Sequence, residues 1–329
     1  GEAADGPCRM WEVYHLQNIP LSGVPGDLEW LPMHYWLVAA VTKFGFDIMT
    51  AGRLLSLLCS MAIVCFLFDI LRNNFNRTVA WCSVLFYAIN PFYVKYATLP
   101  MSEMPFVFFV LIGIWGIMKY AQNPKLIWLV ISAIGINIAS LLRFEVWLVA
   151  AMLPPLAWLV HRNWKRLGLN FAVYGFGVLT YMYLSMKFQG VPFYGLTHSA
   201  NEANADCTHY CCFQATEMSN SFGIFRIIWK VMNHAFEQIL PIWMVFMALG
   251  GIVWSWFKRE NLLLSFICLA LLAFLSYSLW TESISFTWRY FALPLLLLLP
   301  FAFDVFSKLG DRLWLQVAIS VLLLAVTIA

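Results

Sequence analysis

Charged side chains are scarce in this sequence, and motifs of nucleotide and nucleic-acid chemistry are missing. Asp, Glu, Lys and Arg make up 11% of the 329 residues, whereas a soluble domain has about 25%. The sequence contains neither a Walker loop nor a GxGxxG motif, so we expect no nucleotide-driven chemistry. It also has no basic tract interleaved with aromatic residues, so we expect no nucleic-acid partner.

Apolar side chains are abundant instead. They account for 62% of the chain, the mean hydropathy is +0.76, and 16 Trp residues are available for two interfacial belts. A helix that crosses a bilayer needs about 20 apolar residues. We therefore predict an all-α fold, a polytopic transmembrane helical bundle of about ten spans with juxtamembrane helices on the outer face. The predicted spans are 49–71, 78–97, 103–121, 126–142, 145–161, 167–187, 239–257, 262–280, 290–307 and 313–329.

These spans divide the chain into four regions. The polar start at Gly1 and the apolar end at Ala329 also predict a piece of a longer protein that lacks at least one N-terminal span. The four regions are a first outer loop with juxtamembrane helices (1–48), an N-terminal transmembrane bundle (49–187), a long outer loop (188–238) and C-terminal transmembrane helices (239–329).

The stretch 30–46 is apolar, but it is too short and too interrupted to cross a bilayer. We predict an amphipathic helix that lies at the membrane interface, with Trp30, Tyr35 and Trp36 as anchors.

The basic residues predict the orientation. Short turns between spans hold more than half of the 20 Lys and Arg residues, so these turns are expected on the cytoplasmic side. Most acidic residues then fall on the other face, a distribution that favours an enzyme of the outer face over a transport channel. We expect a bacterial inner membrane rather than the endoplasmic reticulum, because the sequence shows neither a used glycosylation sequon nor a retention signal. The basic residues of the turns are Arg72, Arg77, Lys119, Lys125, Arg162, Lys165, Arg166, Lys258, Arg259, Lys308 and Arg312.

Ionisable residues near membrane depth are costly and are therefore functional candidates. In the opening segment DGPCRMWEVYHL, Asp5 is a good helix N-cap, and Asp5, Arg9 and Glu12 would share one helical face. One interpretation is that Asp5 only caps the helix while Arg9 pairs with Glu12 in water. The other is that Asp5 is a general base held at the membrane surface.

Further candidates lie at the outer ends of spans. Glu103 begins one span, where an acid also complements the helix dipole. Arg143 and Glu145 are two residues apart and cannot face each other on a regular helix, so we predict a bend that points both into one outer vestibule. Arg289 begins another span, and Lys95 lies at the end of one. Arg289 could bind a lipid phosphate, or its side chain could simply extend to the membrane interface.

The long loop carries Cys207, Cys211 and Cys212 close to His198 and His209. These residue types suit a zinc site. On an oxidising face, however, a disulfide that uses Cys207 is the commoner outcome. We predict the disulfide, and neither a metal nor a cofactor.

Taken in order, the motifs of the chain resemble those of the GT-C superfamily of polytopic glycosyltransferases, which includes protein O-mannosyltransferases and lipid A aminoarabinose transferases. The similar segments are DGPCR, WLPMHYWLVAAVTKFGF, AGRLLSLLCSMAIVC, NPFYVKYATLPMSEMPFVFFVL, LLRFEVWL and RYFALPLLLLLPF. The resemblance implies transfer of a sugar, with inversion, from a polyprenyl-phosphate donor to a lipid, glycan or protein acceptor outside the cytoplasm.

The resemblance also implies roles for particular residues. Asp5 would be the base on the acceptor hydroxyl, and Glu103 a second acid of the vestibule, beside Arg9, Glu12 and Glu145. The donor phosphate would meet Arg143 and Arg289, with Lys95 as a third cation.

Two departures from the family pattern stand out. Gly6 follows Asp5 where the family often has an Asp-Glu pair, and Glu12 is the nearest later acid. We also expect this sequence to lack the first transmembrane helix of the family. The alternatives are a lipid-linked substrate transporter or flippase, a non-catalytic assembly factor, and, among enzymes, an acyltransferase or a glycan ligase.

Cysteine labelling tests the predicted orientation. In intact cells, a thiol probe that cannot cross the membrane should label Asn201→Cys and spare Asn163→Cys, because basic turns stay in the cytoplasm. Labelling of Asn163→Cys with Asn201→Cys protected would invert the topology.

Overall fold

The computed structural model describes residues 10, 13–14, 31–161, 164–195, 242–258, 261–280 and 292–309. Every regular element within these ranges is a helix, as expected for an all-α fold. In chain order, the eleven helices with defined bounds in this part of the protein are α1 (Met33–Thr42), α2 (Ile48–Asn74), α3 (Arg77–Ile89), α4 (Pro91–Thr98), α5 (Glu103–Gln122), α6 (Leu126–Ser140), α7 (Val146–His161), α8 (Trp164–Gln189), α9 (Ile242–Lys258), α10 (Leu262–Trp280) and α11 (Ala292–Leu309).

The helices fall where the apolar runs predict them. Among the described residues, α2 and α5 are long and apolar enough to cross a membrane, and several other helices are apolar but shorter. Large apolar side chains on α2, such as Leu57, Leu58 and Met61, are exposed, as they would be on a surface that faces lipid. The span predicted at 313–329 lies outside the described residues, and the total of about ten spans stays a prediction.

One predicted span is broken. The stretch 78–97 is not a continuous helix, because α3 ends at Ile89 and α4 begins at Pro91. A proline has no N–H and forces the residue before it out of the helical region, and Asn90 is accordingly extended, with ψ 123°. The Asn90 side chain then accepts a hydrogen bond from the backbone N–H of Phe92 at 3.0 Å and so caps α4.

The helix predicted within 30–46 is present as α1, but one of its anchors is buried in protein. Tyr35 has no exposed surface and packs in a cluster with Val38 and Ala51, the latter on α2. Its predicted role as an interfacial anchor is therefore wrong: the apolar face of α1 covers α2. Trp36 is half-buried, and Trp30 lies outside the described residues.

Helix α2 begins with a capping aspartate. The backbone N–H of Thr50 donates a hydrogen bond to the Asp47 carboxylate at 3.0 Å, which satisfies one free donor of the first turn. Side-chain and backbone hydrogen bonds from Thr50 lower the pKa of Asp47.

The chain forms two compact units, residues 1–66 with 95–198 and residues 67–94 with 199–329. In the first unit, α5 and α6 approach closely at small residues. A Cβ atom on Gly116 would lie 2.7 Å from the backbone nitrogen of Ser132. Small residues are typical of such interfaces between membrane helices.

Polar side chains fasten α8 onto this pair. The Tyr174 hydroxyl donates to the Ser132 hydroxyl at 2.8 Å, and Ser132 donates to the backbone oxygen of Gly113 at 2.6 Å. Asn137 of α6 donates to the backbone oxygen of Val173 at 2.7 Å. Such bonds between membrane helices each contribute on the order of 1 kcal/mol.

The second unit is built around α11. Its residues from Ala292 to Phe303 are almost entirely buried, as expected of a helix that is apolar on all sides. Phe75 packs edge-on against Phe301 at 5.2 Å between ring centres, and the Tyr93 hydroxyl of α4 donates to the backbone oxygen of Ala292 at 3.0 Å.

Replacement of Gly116 by alanine tests the close approach of α5 and α6. The added methyl group meets backbone, which cannot move aside as a side chain can, so Gly116→Ala should lower the free energy of unfolding by about 1–3 kcal/mol. Thermal unfolding in detergent measures this. Gly175→Ala is the matched control, because a Cβ atom there meets nothing within 4 Å. An unchanged midpoint for Gly116→Ala would contradict the packing.

Candidate functional site

The loop between α6 and α7 carries two of the predicted site residues. Helix α6 ends at Ser140, and the N–H groups of Leu142 and Arg143 both donate to the backbone oxygen of Ala139 at 3.0 Å. These bonds close the helix in a tight turn, and the chain is helical again from Val146. Arg143 and Glu145 therefore lie in a non-helical bend.

In this bend Arg143 bridges two carboxylates. Its Nη1 donates to Oε1 of Glu103 at 2.9 Å, across 40 residues of sequence. Its Nε and Nη2 both donate to Oε1 of Glu145, at 3.0 and 2.7 Å. These three residues, called the Arg143 cluster below, join the first residue of α5 to the α6–α7 loop.

The Arg143 cluster is buried. The exposed fractions are 1% for Glu103, 7% for Arg143 and 8% for Glu145. Removal of Arg143 would leave two buried carboxylates without a cation, at a cost of about 3–5 kcal/mol. The guanidinium thus makes the burial of both carboxylates possible.

The surroundings of the cluster favour its charges. The Arg143 guanidinium lies 5.7 Å from the centre of the Phe106 ring, within the range of a cation–π interaction. Glu103 is in the first turn of α5, where the helix dipole stabilises a negative charge.

The residue between Arg143 and Glu145 belongs to an aromatic group. Phe144 packs edge-on against Trp147 and Tyr181, with ring centres 5.1 and 5.5 Å apart. The loop therefore contributes its charged residues to one cluster and the intervening aromatic residue to another. The N–H of Met33 also donates to the backbone oxygen of Leu141 at 3.0 Å, which ties α1 to the loop.

Lys95, predicted to meet the donor phosphate, is exposed in the last turn of α4. Its Nζ lies 5.4 Å from the centre of the Tyr96 ring. The other predicted site residues, Asp5, Arg9, Glu12 and Arg289, lie outside the described residues.

The predicted disulfide at Cys207 and the zinc alternative also concern residues that the structure does not describe. Within the described ranges there is no group of three or more His, Cys, Asp or Glu side chains that could hold a metal ion.

Sequence reasoning missed two neighbours of the cluster. Phe106 follows Glu103 by three residues, a spacing that places two side chains on one helical face and could have identified it. Ser102 precedes Glu103, and its hydroxyl is buried without a hydrogen bond to any described residue. No signal in the sequence marks Ser102.

Comparisons with known proteins show which family and which folds this chain resembles. Residues 25–186 match the family described as dolichyl-phosphate-mannose-protein mannosyltransferase. No curated protein matches the sequence.

Two solved structures share the fold. One is the Archaeoglobus fulgidus oligosaccharyltransferase in complex with zinc and sulfate, with a TM-score of 0.60 and 13% identity over 91% of this chain and 43% of that chain. The other is ArnT from Cupriavidus metallidurans in the apo state, with a TM-score of 0.51 and 16% identity over 88% of this chain and 52% of that chain. The chain thus spans about half of either protein.

The match to the mannosyltransferase family includes the whole Arg143 cluster and Lys95, while the other predicted site residues fall outside it. The family match and the shared fold together confirm the resemblance inferred from the sequence motifs: this chain is similar to the membrane glycosyltransferases of the GT-C superfamily.

Proposed function

We propose that this protein is an integral membrane glycosyltransferase that moves a sugar from a polyprenyl-phosphate donor to an acceptor on the outer face of the membrane. The acceptor is a lipid, a glycan or a protein hydroxyl. About ten spans hold the protein in a bacterial inner membrane, with the active site open to the periplasm.

The Arg143 cluster is the observation that carries this proposal. It places an arginine and two carboxylates at the ends of apolar helices, where ionisable residues usually serve a function. It also lies within the segment that matches the mannosyltransferase family.

The chemistry of the reaction fits these residue types. A phosphate leaving group is already negatively charged, so it needs cationic partners more than it needs a proton. An arginine fork suits phosphate because it can donate two parallel hydrogen bonds. The donor phosphate is assigned to Arg143, Arg289 and Lys95.

The acceptor hydroxyl needs a base in line with the anomeric carbon. We assign this role to Asp5. The acids Glu103, Glu145 and Glu12, with Arg9, form the vestibule in which the acceptor is held. One obligatory carboxylate at the reacting centre then suffices, in contrast to the paired acids of glycoside hydrolases.

Paired variants separate the base from the phosphate ligand. Asp5→Asn keeps a capping oxygen and nearly the same volume, so the protein should insert and bind polyprenyl phosphate normally. Its turnover should fall by about 10²–10⁴-fold, the usual contribution of a general base. Arg289→Ala should instead weaken binding of polyprenyl phosphate. Both are measured on the full chain in membranes, with a panel of polyprenyl-phosphate sugars.

Asp47→Asn is the matched control, because Asp47 also caps a helix and takes no part in the proposed site. It should transfer sugar at the parental rate. If Asp5→Asn does the same, Asp5 is only a helix cap and its catalytic assignment is wrong.

A further inference from the structure

We propose that Glu145 competes with the lipid phosphate for Arg143: the carboxylate holds the guanidinium while no phosphate is bound and yields to the phosphate when the donor arrives. This inference rests on the proposed function. It assigns Glu145 a part in ligand exchange, in addition to its place in the vestibule.

The hydrogen bonds of Glu145 occupy the edge of the guanidinium that a phosphate would use. One oxygen of Glu145, Oε1, accepts from both Nε and Nη2 of Arg143. The Nε–Nη2 edge is a pair of parallel donors, and such a pair binds carboxylate and phosphate in the same bidentate manner. A phosphate on this edge must therefore displace Glu145.

Glu145 is easier to displace than Glu103. Glu103 is the first residue of α5 and 1% exposed, so its position is set by a helix. Glu145 lies in the non-helical loop, and its side chain is 10% exposed. Among the described residues, the side chain of Glu145 is bonded only to Arg143, so its rotation breaks no other ion pair there.

The N-terminus of α7 stabilises a Glu145 carboxylate that has left Arg143. Glu145 directly precedes Val146, the first residue of α7. A negative charge beside the N-terminus of a helix is stabilised by the free N–H groups of the first turn. The helix therefore offsets part of the loss of the ion pair.

The exchange serves both ends of the reaction cycle. Buried N–H donors without an acceptor are unfavourable, and Glu145 satisfies the Nε–Nη2 edge of Arg143 while no phosphate is bound. The donor is a phosphodiester, whereas the product is a phosphate monoester that carries more negative charge, about −1.5 to −2. The product would bind Arg143 more tightly than the donor, and the return of Glu145 promotes its release.

Removal of the Glu145 charge should therefore tighten binding of the phosphate. Glu145→Gln preserves size and an acceptor oxygen, but a neutral acceptor makes hydrogen bonds about half as strong. We expect the Kd of the full chain in nanodiscs for a short-chain polyprenyl phosphate to fall about fivefold. Inorganic phosphate should show the same preference for Glu145→Gln, because Arg143 recognises the phosphate group itself.

Asp304→Asn is the matched control. It neutralises another buried carboxylate, which pairs with Lys308 at 2.7 Å in the second unit, and it should keep the parental Kd. An equal fall in Kd for Asp304→Asn would indicate a general effect of charge and would overturn the proposal.

An unchanged or higher Kd in Glu145→Gln would also overturn the proposal. A fall in Kd for the polyprenyl phosphate without a fall for inorganic phosphate would overturn it as well. Glu145→Ser, whose hydroxyl can cap α7, is the second variant; if neither variant folds, Glu145 is a structural partner and the proposal is wrong. Failure of the parent protein to bind polyprenyl phosphate would contradict the proposed function itself. If the parent binds and Glu145→Gln does not bind more tightly, this inference alone is contradicted.

Discussion

The two ion pairs of the buried Arg143 guanidinium are the interactions on which this end of the first unit depends. The guanidinium joins Glu103, at the start of α5, to Glu145, just before α7. The same short loop binds α1 through the Met33–Leu141 hydrogen bond and contacts α8 through Phe144. Loss of Arg143 would leave both buried carboxylates without a cation and would cost about 3–5 kcal/mol, a large part of the 5–15 kcal/mol that stabilises a typical protein.

Close packing between α5 and α6 makes this ion pair possible. The two helices, 20 and 15 residues long, are joined by a short turn and touch where Gly116 meets Ser132. A tight hairpin of this kind brings the first residue of one helix near the last residue of the next. The contact between Glu103 and Arg143, 40 residues apart in sequence, is therefore a consequence of backbone packing between small residues. Bulkier side chains at this interface would move α5 and α6 apart and would thereby separate Glu103 from Arg143.

Hydropathy predicted the helices well, because the length of an apolar run is a strong signal. It did not predict the break at Asn90–Pro91, since an average over a span is insensitive to one proline. The burial of Tyr35 was missed because an amphipathic pattern does not say whether lipid or protein covers the apolar face. Spacing alone correctly set Arg143 and Glu145 in a bend, but their direct contact, and the contact with Glu103, depend on tertiary packing that no local pattern encodes.

We propose that the Arg143 cluster receives the phosphate of a polyprenyl lipid. A cryo-electron microscopy structure of the full chain with a polyprenyl phosphate bound would test this proposal. The phosphate should lie about 3 Å from the Arg143 guanidinium, with Glu145 turned away and Glu103 still in place. A phosphate bound elsewhere, with Arg143 still held by both carboxylates, would contradict the account.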